Sequence, residues 1–140
     1  MKSTQWLSRN LVTSPYYYTI CTDEKRFEKE MVGLKVKAKD VPDFLGSPNA
    51  DGTTHFFDKW DGNRIEGKSA IVCVRYPAAG KTGCQYAGLL VHEAVHIWQA
   101  IRETLGERHP GSEQEACSIQ SIAQELMIEF MRQTTGRKRK

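Results

Sequence analysis

The sequence predicts an α+β fold, with a small antiparallel or mixed sheet followed by two long helices. Three observations carry this expectation. Short runs rich in aromatic and β-branched residues, separated by turn residues, fill the chain up to Tyr76. Beyond them, 86–105 and 112–132 carry apolar residues at helical spacing. Gly106 and Pro110-Gly111 separate these two stretches, as residues that stop one helix and turn the chain into the next.

In order along the chain, Trp6, Leu7 and Leu11 are the apolar anchors of a polar opening segment and suit a short helix there. Tyr16-Tyr17-Tyr18-Thr19-Ile20-Cys21 reads as a strand with alternate faces buried. Thr22 or Asp23 caps a helix over roughly 23–33, with Phe27, Met31 and Leu34 on one side. Residues 40–53, with Pro42, Gly46, Pro48, Asn49 and Gly52, read as a loop. Thr53–Asp58 and Ser69–Tyr76 are strands that form an antiparallel pair, with a turn at Asp61-Gly62-Asn63 between them. An open sheet edge beside the following helix would let an extended peptide add as a further strand.

Pro77-Ala78-Ala79-Gly80-Lys81-Thr82-Gly83 lies between a strand and a helix, as phosphate-binding loops do. The position five residues before Gly80 is Arg75 where that motif needs glycine, so this stretch reads as a connection. In the first long helix, Ala87, Leu90, Val91, Ala94, Ile97, Trp98, Ile101 and Leu105 form the apolar stripe. In the second, Ala116, Ile119, Ile122, Ala123, Leu126, Met127 and Phe130 do so. Ser112 is the expected amino-terminal cap, with Glu115 closing a capping box.

At 140 residues, 39% apolar and 26% charged, the chain suits one globular domain, placed at 1–136. No apolar run approaches the roughly 20 residues of a membrane helix, and Met1–Asn10 has no apolar core of the secretory kind. The expected compartment is the cytoplasm. The formal charge is +3, of which Arg137-Lys138-Arg139-Lys140 supplies +4, leaving −1 on the rest. Such a tail reads as a solvated, disordered end, and nucleic acid is not the expected partner. Cys21, Cys73, Cys84 and Cys117 show no Cys-x-x-Cys spacing and are expected as reduced thiols.

The chemistry centres on His92-Glu93-Ala94-Val95-His96. Residues four apart share one side of a helix, so His92 and His96 can hold one metal ion together. Both fall opposite the apolar stripe, where they are free of the core. Glu93 then lies beside the metal as a general base for a water. Zinc usually takes a third protein ligand, and imidazole with carboxylate makes zinc the leading metal. His109, 13 residues after His96, lacks the intervening glycine that would turn the chain back; Glu113 and Glu115 open the next helix. Glu113 lies at the edge of that helix's stripe and Glu115 nearer its centre, and periodicity leaves the choice between them open.

Glu113-x-x-Ala116, followed by Ile119 and Ala123, resembles the third-ligand helix of small gluzincin-like metallopeptidases, the minimal zincins and ImmA/IrrE-like proteins among them. The span from His92 to Gln124 is also similar to small zincin-like proteins of phages and prophages. The resemblance covers roughly 86–130, with a weaker echo in the strands before it. It implies a zincin-like fold, Zn2+ held by His92, His96 and Glu113, and Glu93 as the catalytic base. It further implies a peptide or protein substrate, and the cytoplasm of a bacterial host if the chain is phage-encoded. The chain departs from the pattern at Cys117, where related families often have Asp or Asn. Tyr76, Tyr86 and His109 are unranked candidates to stabilise the oxyanion. The alternative reading is a zinc-stapled binding or host-modulating protein without catalysis.

Overall fold

A computed structural model describes residues 3–6, 15–61 and 64–135, the side chains of 59–61 and 64–66 excepted. The expected helix around Leu7 and Leu11, Gly62-Asn63 of the turn, and the basic tail lie outside the described residues. The order is β1 (Tyr16–Cys21), α1 (Glu24–Gly33), a turn of 3-10 helix (Ala38–Asp40), β2 (Gly52–Asp61), β3 (Arg64–Val74), α2 (Gly83–Thr104) and α3 (Ser112–Thr134). The fold is α+β, with a mixed three-stranded sheet in the order β1-β3-β2. β2 pairs antiparallel with β3, as expected, with His55 opposite Ile71. β1 pairs parallel with β3, Cys21 opposite Cys73.

The strands put alternate side chains on opposite faces. One face, with Tyr18, Ile20, Ala70, Val72 and Val74, forms the main core against Leu90, Ala94, Ile97 and Ile101 of α2 and Ile122 and Leu126 of α3. The other face, with Cys21, Ile71 and Cys73, packs on Phe27 and Met31 of α1. The sheet is thus covered by the two long helices on one side and by α1 with its following loop on the other.

Local chemistry explains most helix boundaries. Asp23 caps α1 by accepting from the Arg26 backbone N–H at 2.8 Å. Thr82 caps α2 in a full capping box with Gln85, so the helix begins three residues before the expected start. At its far end Gly106 takes φ +69°, the left-handed residue that ends a helix.

The amino terminus of α3 departs from expectation. Gly111 occupies the cap position and no side chain caps the helix. Ser112 is the first helical residue, and the carboxylate of Glu115 is engaged elsewhere, by Trp98.

The buried stripes also shift. On α2, Tyr86 and Glu93 join the buried set, whereas Val91 and Leu105 stay 40% and 48% exposed. On α3, Ser118, Glu129 and Gln133 are buried and Ala116 is exposed. The polar members belong to a buried network. Gln133 donates to the Ile20 carbonyl (2.7 Å) and accepts from the Thr22 hydroxyl (3.0 Å). Glu129 accepts from Gln133 (2.9 Å), from Arg132 (2.7 Å) and from the Gln5 backbone N–H (3.1 Å). Burial works to raise the Glu129 pKa, but these donors and the Arg132 charge outweigh it and hold the carboxyl below the ordinary glutamate range.

Candidate metal centre

α2 brings the two histidines into register. Their Nε2 atoms lie 3.1 Å apart, with ring centroids at 4.7 Å and planes nearly perpendicular. Two nitrogens bound tetrahedrally to zinc at roughly 2.0–2.1 Å are separated by about 3.3–3.4 Å, so the pair is already close to chelating geometry. Both imidazoles are exposed on the side of α2 away from the core.

Glu93, one position along, is only 3% exposed, and its Oε2 accepts a 2.5 Å hydrogen bond from the Thr54 hydroxyl. That bond joins α2 to β2. The approach of the two elements is close, because a Cβ on Gly52 would stand 3.2 Å from the Leu89 methyl groups. Between them opens a cleft of about 300 Å³, lined by Gly52, Thr53, Thr54 and Phe56 from β2 and by His92, Glu93 and His96 from α2. β2 is an edge strand, and among the described residues no backbone hydrogen bond reaches its outer side.

The acidic residues of α3 are placed differently. Glu115 faces α2, where its Oε2 accepts from Trp98 Nε1 at 2.9 Å and from Arg102 at 3.5 Å. It is thereby committed to the helix–helix contact. Glu113 is exposed in the first turn of α3 and accepts a 3.7 Å hydrogen bond from the Cys117 thiol. At 100° per residue Glu113 lies about 180° around α3 from Ile122, which faces the core, so helical spacing turns it outward. Among the described residues no three His, Cys, Asp or Glu side chains form a group able to hold a metal ion. The structure therefore brings together His92, His96 and Glu93 in one cleft, and leaves Glu113 on the outer face of α3.

The remaining candidates lie elsewhere. His55 is on the opposite sheet face, stacked on Phe27 at 5.2 Å and bonded to the Phe44 carbonyl at 3.0 Å. The Tyr86 hydroxyl accepts from the Ala78 N–H at 2.8 Å, and Tyr76 packs against Tyr86 and Phe130. His109 is exposed in the turn between α2 and α3. None of the four lines the cleft. Lys81 of the connecting loop pairs with Asp51 at 2.9 Å. Burial pushes the Cys21 thiol up to about 12 and raises Cys73 as well, which keeps both protonated and poor as ligands.

Sequence reasoning missed Thr54 and Phe56. The signal was the strand alternation in Thr54-His55-Phe56, which sets Thr54 and Phe56 on one face and His55 on the other. It became usable only with the knowledge of which strand borders α2.

Comparison with protein-family models, curated proteins and solved structures gave no match for this chain. No helix among the described residues is long and apolar enough to cross a membrane.

Proposed function

We infer that the chain is a small zincin-like zinc metallopeptidase. The observation that carries this reading is the pair of Nε2 atoms 3.1 Å apart, beside a carboxylate, in a cleft bounded by an open sheet edge. The donor set suits zinc: two imidazoles from one helix face, with a carboxylate as third donor. Glu113 is the third donor that the resemblance implies; it lies on the outer face of α3 and would have to turn toward α2 to reach the histidines, while Glu115 is occupied by Trp98 and Arg102. When bound, zinc supplies Lewis acidity toward the substrate carbonyl and lowers the pKa of water.

The chain's own residues do the rest. Glu93 takes the proton of the attacking water on a carboxylate oxygen and returns it to the leaving amine. Thr54, by donating to Oε2, fixes the carboxylate orientation and leaves Oε1 for that proton. The outer side of β2 offers backbone N–H and C=O groups to an extended peptide, which holds its carbonyl beside α2. Peptide or protein is therefore the substrate class. A phage origin and a bacterial cytoplasm go with this reading through the resemblance around His92–Gln124.

A second reading, a zinc-stapled binding protein without catalysis, is favoured by the burial of Glu93 and its existing bond to Thr54. One substitution separates the two. Glu93→Gln should retain the wild-type metal content and lower hydrolysis of a casein or quenched-peptide substrate by at least about 100-fold. Full-rate hydrolysis by Glu93→Gln would reject the catalytic role of Glu93. Zinc-loaded wild type without any hydrolysis would leave the binding protein.

A further inference from the structure

Phe56 is a large apolar side chain left 43% exposed on the edge strand β2. Its ring lines the same cleft as both imidazoles. It is also held in place: the buried Tyr16 ring meets it edge to face, centroids 5.7 Å apart at 77°. Alternation along β2 puts Phe56 on the same face as Thr54, one pleat repeat further, roughly 6–7 Å along the strand. A peptide added to the outer side of β2 follows the same repeat. A side chain two residues from the one level with Thr54 is then brought level with Phe56. The cleft, at about 300 Å³, has room for a large side chain.

We propose that Phe56 is the specificity-determining platform of the cleft, and that it selects an extended peptide bearing a phenylalanine or other large apolar side chain. This rests on the metallopeptidase reading for the direction of use, but the selection is a binding property and is separable from chemistry. The occupant is an extended segment because the neighbouring strand edge is free of backbone partners among the described residues. It is apolar at one position because the Phe56 ring, in contact with Tyr16, is 43% exposed, and covering it removes apolar area from water. The side chains at intervening positions are unconstrained by α2, since alternate residues of an added strand point away from it.

The test uses Glu93→Gln protein with added zinc, which binds peptide without consuming it. A set of eight-residue peptides that differ only in the position of a single Phe in a Ser/Thr/Ala background is titrated by fluorescence anisotropy. The expected result is one position at which Phe binds about tenfold tighter than Ala, that preference vanishing in Phe56→Ala and persisting in part in Phe56→Leu. Circular dichroism and thermal melts on each variant separate loss of the platform from loss of the fold. Equal binding of every peptide, or a Phe preference that survives in folded Phe56→Ala, overturns the proposal. If the preference is present while wild type cleaves nothing, the platform stands and the catalytic reading falls; if wild type cleaves peptides without regard to Phe, the reverse holds.

Discussion

The two ends of α3 are built on opposite principles. Its carboxyl-terminal end is locked: Glu129 and Gln133 are buried, every partner is a named donor or acceptor, and through them the helix holds residues 3–5 and the end of β1. Arg132 adds a bond to the Ser3 carbonyl. Its amino-terminal end is open. Residues 111–114 are exposed, no side chain caps the helix, and Glu115 makes the first side-chain bond to α2. Buried polar groups with all partners in place fix one arrangement, because each broken bond would strand a buried donor or acceptor. An uncapped exposed turn carries no such penalty. The difference is one of fixing: α3 is anchored at its carboxyl-terminal end by buried polar bonds, while the turn that bears Glu113 is exposed and uncapped.

The comparison can be broken most forcefully at the locked end. Glu129→Ala should lower unfolding stability by about 3 kcal/mol, since it strands the Gln133 amide and the Gln5 N–H and removes a partner of Arg132. Chemical denaturation measures this, and a change below about 0.5 kcal/mol, the size of an ordinary surface effect, would mean the network is not what holds α3. The same residue gives a pH signature. Its folded pKa is depressed, so as pH falls the unfolded chain takes up the proton first. Its contribution is therefore complete above the ordinary glutamate range and is lost as pH falls through the lower folded value. Denaturation series between pH 7 and pH 3 should show that loss in the wild type and a weaker dependence in Glu129→Gln.

A smaller effect is expected between the two ends. Glu115→Ala removes the acceptor of Trp98 Nε1 at a half-exposed site and should cost about 1 kcal/mol while leaving metal content unchanged. Loss of metal in that variant would transfer the third-ligand role from Glu113 to Glu115.

The sequence was most informative where the signal is local. His92 and His96 needed only the helical repeat, and the structure sets them side by side. The cap at Asp23 and the stop at Gly106 are likewise written in neighbouring residues, whereas the capping box of Thr82 and Gln85 was missed and α2 starts three residues before the expected position. The antiparallel pairing of β2 with β3 followed from two adjacent strand-like runs. The parallel pairing of β1 with β3 was beyond reach, because it joins segments about 50 residues apart and leaves no turn signature. The stripe of α3 was misread for a related reason. Glu129 and Gln133 look like surface residues until Gln5 and Thr22, more than 100 positions away, supply their partners. Ser112 and Glu115 fit a capping box by spacing, but the indole of Trp98 competes for the Glu115 carboxylate. The cleft wall of Thr54 and Phe56 depends on which strand lies beside α2, and that is a property of topology.

The central claim is that His92 and His96 hold a catalytic metal together with a donor from the open end of α3. Its most direct test is metal content by elemental analysis after gel filtration of wild type, His92→Ala, His96→Ala, Glu113→Ala and Glu115→Ala, each confirmed folded. The account predicts one equivalent of zinc in wild type and Glu115→Ala, none in either histidine variant, and a marked loss in Glu113→Ala with unchanged stability of the metal-free fold. Wild-type protein that retains no zinc from a zinc-containing buffer, or a histidine variant that retains a full equivalent, would contradict it.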